Sequence, residues 1–450
     1  MSEENRKRSV TLSVSSTTRL LPTNGQLSLT KRVVIFSVAV FGIFSYYNYY
    51  TVPMSFLANE IIEKRNFSST TAGVVFSSQC LSLFFTLIAA PKTASLFSIR
   101  QALLISVTSS ILSTVFYLAQ LDNTSWLVYS IISRILQGFA VGIIEVRFLD
   151  MMTQCFPDNL ALISSAYELP FCFCMIVGFE MGGWVYEMFG FWAPLNLTTV
   201  LVVVTCIAAY FCSYWLPENE EDDVSATISD ILYWPILVIS LLVMGSISIA
   251  DSIANSFYSN YMLNRFGLSE TKSGGMLTIA SIIYTITTFI SGCIGSRQKN
   301  LKYLLLGGLI IMGTSACLLG KDIPIFQTMG VYFPATMMCL LQAGSGLAQV
   351  AALPLMVMHY EKRTGLPENL ASCHMGGMYA SYFFLGSFLG PLAGGYVIDI
   401  TSYGFICTIC GILLVLSFQV MMGLHLAKKT FLNPWRPRMD RSVSQDICDN

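Results

Sequence analysis

Gly178-Phe179-Glu180-Met181-Gly182-Gly183 and Gly390-Pro391-Leu392-Ala393-Gly394-Gly395 are nearly the same phrase, written 212 residues apart in one apolar chain. Gly190-Phe191 follows the first copy and Gly404-Phe405 the second. Glycines at this spacing fall on one helix face, where the missing side chains let a second helix approach backbone to backbone in lipid. One copy in each half of the chain points to a duplicated helical bundle.

The surrounding composition fits lipid as the solvent. Of 450 residues, 54% are hydrophobic and 11% charged, and the mean hydropathy is +0.63. A soluble domain carries roughly 25% charged residues. The net charge of -1 says nothing about partners, because the distribution of charge along such a chain matters more than its sum. A spanning helix needs about 20 apolar residues. Twelve segments qualify, near 33-57, 70-90, 101-120, 126-149, 160-186, 192-215, 232-260, 274-294, 303-319, 330-357, 372-398 and 405-427. The main interruption follows the sixth: Leu216-Pro217, then Glu218, Glu220, Glu221, Asp222 and Asp223.

The expected organisation is an N-terminal tail over 1-32, a six-helix bundle over 33-215, an acidic linker over 216-230, a second six-helix bundle over 231-427 and a C-terminal tail over 428-450. The polar, Ser/Thr-rich start carries Arg6, Lys7 and Arg8 and no apolar stretch before Lys31-Arg32, so the first segment is expected to insert and stay. With the N-terminus in the cytosol, eighteen Lys and Arg fall on the cytosolic side and five on the other: Lys64, Arg65, Arg265, Lys272 and Lys321. The positive-inside rule then places the tails and the linker in the cytosol. Two sequons, Asn66-Phe67-Ser68 and Asn123-Thr124-Ser125, fall in loops on the opposite face and are expected glycosylation sites. Asn196-Leu197-Thr198 lies inside the sixth segment and is expected to be unmodified.

Twelve segments as six and six, a hydrophilic centre and paired glycine phrases together resemble the major facilitator superfamily. Arg134-Ile135-Leu136-Gln137-Gly138 looks like its Arg-x-x-Gln-Gly motif, and Gly390-Pro391-Leu392-Ala393-Gly394-Gly395 like its antiporter-type Gly-Pro-x-x-Gly-Gly motif. The copy in the fifth segment departs from that pattern, with Phe179 in place of proline and Glu180 after it. The loop after the second segment keeps Pro91-Lys92 and Ile99-Arg100 without the usual glycine and aspartate. A narrower resemblance is to the vesicular amine and polyamine transporters (solute-carrier family 18). It rests on Phe156-Pro157-Asp158-Asn159, Tyr167-Glu168, Gly182-Gly183-Trp184-Val185-Tyr186 and Pro194, then on Ile249-Ala250-Asp251, Phe266-Gly267-Leu268-Ser269 and Gly274-Gly275. The first segment has no acidic residue, whereas monoamine members carry an aspartate there.

Charges inside a bilayer cost about 2.5-3.5 kcal/mol each on insertion scales, so each asks for a reason. Glu168 lies about 15 Å into the fifth segment, near the midplane. A carboxylate there can trade a proton for a substrate cation, which is a minimal antiport mechanism; it can equally serve as a hydrogen bond to a neighbouring helix. Asp251, with Asn255 one turn later, is a second candidate cation ligand or a helix-helix hydrogen bond. Arg134 either pairs reversibly with a carboxylate or pins two helices. Glu180 lies near the far end of its segment, as a gate or simply exposed. Glu145, Arg147 and Asp150 read as a structural latch at the cytosolic end of the fourth segment. Tyr46 and Tyr50 share a helix face with Tyr47 and Tyr49 nearby, either holding an ammonium by cation-π attraction or forming an interfacial belt. Asn48 and Gln342 are weaker polar candidates. His359, His374 and His425 read as solvated near helix ends.

Gly178, Gly182, Gly183, Gly390, Pro391, Gly394 and Gly395 are the expected helix-packing set. The thirteen cysteines lie almost entirely in apolar segments and read as small apolar filler, so neither a disulfide framework nor a metal site is expected. No nucleotide loop or basic-aromatic patch is written, and neither an enzyme, a cofactor nor a nucleic-acid partner is expected. The resulting expectation is an all-α membrane protein, monomeric, exchanging protons for an organic cation such as an amine or polyamine. The resemblance implies a vesicular or lysosome-like membrane. The alternatives are a transport-incompetent sensor or scaffold, and a carrier of a neutral or anionic solute.

Overall fold

The computed structural model describes residues 28-89, 97-118, 122-156, 160-216, 235-295, 301-319, 330-364 and 368-431; within the helices, the side chains of 153, 160-168, 235-239, 363-364, 368-374, 377 and 424-431 are outside this description. The tails and the acidic linker expected from the sequence therefore lie outside the described residues, apart from their edges. Twelve helices are long and apolar enough to cross a membrane. In chain order they are α1 (Leu29–Thr51), α2 (Ser69–Ile88), α3 (Ile99–Leu118), α4 (Asn123–Cys155), α5 (Leu160–Phe189), α6 (Trp192–Ser213), α7 (Pro235–Phe266), α8 (Glu270–Gly295), α9 (Leu301–Leu318), α10 (Tyr332–Thr364), α11 (Glu368–Ile400) and α12 (Tyr403–Phe431). No strand occurs among the described residues.

Packing divides these helices into two like sets. In the first half α2 and α3 lie on α4, α3 and α1 on α6, and α1 on α5. In the second half α8 and α9 lie on α10, α9 and α7 on α12, and α7 on α11. Each contact in one half has its counterpart six helices later. The halves meet along two seams, α2 against α11 and α5 against α8.

The turns that feed the seams are also copies. The chain between α1 and α2 passes through Asn66 at φ 57, and the chain between α7 and α8 through Gly267 at φ 64. Closing bonds follow at the same spacing, Phe67 N–H to the Ile61 carbonyl at 3.1 Å and Leu268 N–H to the Met262 carbonyl at 3.4 Å. Both turns need left-handed backbone, which glycine adopts freely and asparagine tolerates. What differs is the lead-in. Pro53 lacks an N–H and crowds the preceding turn, so α1 passes into a 3-10 turn (Val52–Ser55), breaks at Phe56 and resumes as Leu57–Asn59 and a π turn, Glu60–Lys64. α7 runs straight through to Phe266.

Two sequence expectations change. Asn123 is not in a loop: it is the first residue of α4, behind Asp122 as N-cap, and Ser125 of the same sequon completes a capping box with Asp122. The Asn123 amide oxygen also accepts from Arg65 Nη1 at 3.4 Å. Asn66 is exposed on its turn. The tyrosines of α1 are not an interfacial belt, because Tyr46, Tyr47 and Tyr49 are buried in the first half.

Candidate functional site

The glycine phrases position everything else, and each glycine has a counterpart role. A Cβ built on Gly178 would lie 2.2 Å from Thr51 Oγ1 of α1, and one on Gly390 2.1 Å from Ser252 Oγ of α7. A Cβ on Gly182 would lie 2.3 Å from the Val52 carbonyl oxygen, and one on Gly394 3.0 Å from the Ile253 side chain. The third glycine of each phrase crosses to the other half. A Cβ on Gly183 would lie 2.6 Å from the Glu270 carbonyl oxygen at the start of α8, and one on Gly395 2.2 Å from that of Ser69 at the start of α2. Real Cβ atoms do not approach so closely, so only glycine permits these crossings.

Glycines absent from the sequence-derived set answer from the other side. A Cβ built on Gly73 of α2 would lie 2.1 Å from the Pro391 carbonyl oxygen, and one on Gly274 of α8 2.6 Å from that of Phe179. Hydroxyls follow one turn on: Ser77 Oγ donates to the Phe388 carbonyl at 2.6 Å, and Thr278 Oγ1 to the Ile176 carbonyl at 3.0 Å. The replacement of proline by Phe179 therefore leaves the seam intact, since the seam uses the carbonyl at that position. The neighbouring Glu180 is exposed, with its carboxylate beside Gly275 of α8.

Between the seams, two buried charges stand on opposite sides. Arg134 of α4, 1% exposed, uses a single nitrogen for three acceptors. Its Nη1 reaches the Tyr49 carbonyl at 2.8 Å, Gln79 Oε1 at 2.9 Å and Gln137 Oε1 at 3.2 Å. Its Nε and Nη2 are buried without a hydrogen-bond partner. Asp251, 6% exposed at the middle of α7, is held by an amide among the described residues. Gln342 Nε2 of α10 donates to Asp251 Oδ1 at 2.9 Å and to Asn255 Oδ1 at 3.2 Å. Asn255 Nδ2 is buried and unpartnered. Neither charge has an ion-pair partner among the described residues.

Tyr50 links the two halves at this level. It lies within electrostatic reach of Asp251 and of Cys80 on α2, and beside the Ser387 hydroxyl of α11. Cys80 in turn lies within electrostatic reach of Arg134. The structure thus brings Asp251, Asn255 and Gln342 together, with Tyr50 within electrostatic reach of the carboxylate. Tyr46 sits apart, fully buried in the first half with its ring 6.3 Å from that of Phe148. Asn48 is buried and turned back on its own helix, donating to the Phe44 carbonyl at 2.7 Å. Glu168 belongs to α5, one residue before the described part of that helix's side chains begins, and its carboxylate lies outside the described residues.

The remaining charges fall at the ends. Arg147 pairs with Asp150 at 3.7 Å and donates to the Phe97 carbonyl, while Glu145 accepts from Tyr47 at 3.3 Å. At the opposite end Glu60, absent from the sequence candidates, is buried and accepts from Tyr186 at 2.6 Å and Arg65 at 3.3 Å. Asn59 donates to Ser259 at 3.3 Å and to Glu270 at 3.4 Å. Glu63 accepts from Asn260 at 3.0 Å and Asn264 at 2.9 Å. The eleven described cysteines are free thiols, and no cluster of metal-ligating side chains occurs among the described residues.

Twelve helices long and apolar enough to span a membrane, in two like halves around a polar centre, are the architecture of a membrane transporter. The Major Facilitator Superfamily model matches residues 38–366 and 236–442, and the chain belongs to that family. The human MFS-type transporter SLC18B1 is 23% identical over 329 residues, covering 72% of this chain and 70% of that protein. Among solved structures, a point mutant of the nucleoside transporter NupG superposes with a TM-score of 0.66 at 14% identity, covering 88% of this chain and 99% of that one. A bacterial homologue of the human lysosomal transporter Spinster, inward-facing and unoccupied, gives 0.65 at 12% identity, covering 92% and 100%. The two structural likenesses show the fold.

Proposed function

We propose that this transporter exchanges protons for a small organic cation, an amine or polyamine, by rocking its two halves about a midplane site. The observation that carries the reading is Asp251: a carboxylate buried at the centre of α7, held by amides and without a cation partner among the described residues. Leaving such a charge uncompensated costs several kcal/mol, so the site favours a ligand that brings the missing positive charge, a proton or an ammonium. Asn255 adds an amide oxygen, and Tyr50 of the other half, an aromatic that can attract a cation, lies within electrostatic reach of the carboxylate. A proton and an ammonium competing for one carboxylate couple their opposite movements. Glu168 of α5 is the candidate second carboxylate of that exchange.

The basic-residue asymmetry supports cytosolic termini, and the end where α1 turns into α2 is then non-cytosolic. Asn66, exposed there on a left-handed turn, is the better placed of the two sequons for a glycan. A vesicular or lysosome-like membrane rests on the likeness to solute-carrier family 18. A second reading, carriage of an anionic or neutral solute, is supported by the unpartnered Nε and Nη2 of Arg134, the edge with which a guanidinium binds planar anions. Uptake by proteoliposomes under an imposed pH gradient, screened over amines, polyamines and organic anions, separates the two. Amine or polyamine uptake driven by an acidic interior and lost in Asp251→Asn and Glu168→Gln is expected. Anion uptake lost in Arg134→Gln and retained in Asp251→Asn overturns the cation assignment.

A further inference from the structure

Four residues beyond the last glycine of each phrase stands an acid, Glu187 after Gly183 and Asp399 after Gly395. One helical turn apart, each acid shares the face of the glycine that crosses the seam. Both reach the start of a helix in the opposite half. Glu187 Oε1 accepts the Thr271 N–H of α8 at 2.8 Å. Asp399 accepts the Ser69 N–H at 2.7 Å, the Thr70 N–H at 2.8 Å and the Thr70 hydroxyl at 2.5 Å, all on α2.

The first amides of a helix have no partner within it, and the helix dipole adds positive potential there. A cap normally comes from the residue just before the helix. α2 has one in Ser68, which accepts the Thr71 N–H at 3.2 Å. Its two earlier amides are capped from 330 and 329 residues away, by the other half of the molecule. These bonds exist only while the α1–α2 end is closed. The Asn59–Ser259 and Glu63–Asn260 bonds tie the halves at the same end.

We propose that Glu187 and Asp399 are twin latches that hold this end shut, so that the outward swing of the halves must uncap α8 and α2. The inference rests on the alternating-access reading above. Both acids are exposed at the rim. Water can replace their bonds as the seam parts, which suits a contact made and broken in every cycle. The latches are unequal. Asp399 caps two backbone N–H groups and takes a hydroxyl, and Glu187 caps one backbone N–H, with the Thr271 and Ser269 hydroxyls and the Lys272 charge also acting on its carboxylate. With two helix amides capped against one, the α2–α11 seam is the firmer side.

Amide hydrogen exchange on the full chain in lipid nanodiscs tests this without any substrate, so its failure is separable from failure of the amine assignment. Asp122→Asn is the reference, because Asp122 caps α4 within one half. Its effect should stay within the first turn of α4. Asp399→Asn is expected to raise exchange about tenfold at residues 69-73 and also at 270-274 across the molecule, as opening at this end exposes both caps. Glu187→Gln should do the same to a smaller degree, and the double variant should exceed either. If Asp399→Asn does not yield a folded protein, Thr70→Val, which removes one of the three bonds, is read in the same way. A rise confined to the helix turn whose cap was removed, or no rise, overturns the latch and leaves two local caps.

Discussion

The seams and the centre of this molecule follow opposite rules. Along the seams, α2–α11 and α5–α8 match contact for contact: Gly73 with the Pro391 carbonyl as Gly274 with that of Phe179, and Ser77 with Phe388 as Thr278 with Ile176. At the centre the match fails. The glycine contacts place Asn48 and Thr51 of α1 where Ile249 and Ser252 stand in α7, which makes Tyr50 the counterpart of Asp251. Equivalent positions thus carry a phenol in one half and a carboxylate in the other, close enough for the charge of one to act on the other. The first half places its buried charge, Arg134, on α4, and the second half has Gln342 in the corresponding helix. Motion needs two halves that swing alike, and the seams keep them alike. Binding needs a polarity, and the centre supplies it by letting the copies diverge.

The sharpest way to break this contrast is at the centre. Asp251→Asn should lower amine uptake by a hundredfold or more, since removing one partner of a buried charge contact costs about 3-5 kcal/mol. Near-normal uptake by a well-folded Asp251→Asn protein would end the claim that the asymmetry is functional. Arg134→Leu comes next. Leucine removes the nitrogen that donates to Tyr49, Gln79 and Gln137, and each buried acceptor left unmet costs about 1-3 kcal/mol. A lower midpoint of thermal unfolding in detergent is the expected result.

Smaller effects test the seams. Gly395→Ala and Gly183→Ala each force a Cβ onto a carbonyl oxygen and should destabilise by about 1-3 kcal/mol, the penalty typical of overpacking. Gly307→Ala, whose Cβ meets open space, is the control and should be neutral or slightly stabilising in the same thermal assay. Last, Ser77→Ala and Thr278→Val should cost the same small amount, about 0.5-1.5 kcal/mol, because each deletes one hydroxyl-to-carbonyl bond. Unequal losses there would show that the seams are less alike than their geometry.

The duplication, the twelve spans and the glycine phrases were legible because they depend on local spacing: apolar length sets a span, and absent side chains set a close approach. The reciprocal elements were less so. Gly73 and Gly274 matter through which backbone faces them, and that partner is hundreds of residues away. Glu187 and Asp399 did leave a signal, an acid nine residues after the first glycine of both phrases, which a comparison extended one turn further would have caught. Gln79 carries no pattern; it is a lone amide in an apolar helix until Arg134 is seen beside it. Tyr46 and Tyr50 share a helix face by spacing, but spacing does not fix what covers each of them. Phe148 packs on Tyr46, while Tyr50 crosses to the other half.

The seams are written largely in backbone. Where Gly73 meets Pro391 and Gly274 meets Phe179, the half that supplies the carbonyl is blind to its own side chain, and the half that supplies the glycine tolerates nothing else. Variation is therefore permitted on one side of each contact and forbidden on the other. Phe179 illustrates that licence: the fifth helix carries phenylalanine, with Glu180 beside it, where the eleventh carries Pro391, and both present the same carbonyl to a glycine. A chain built in this way can change what it carries while the machinery that moves it stays the same.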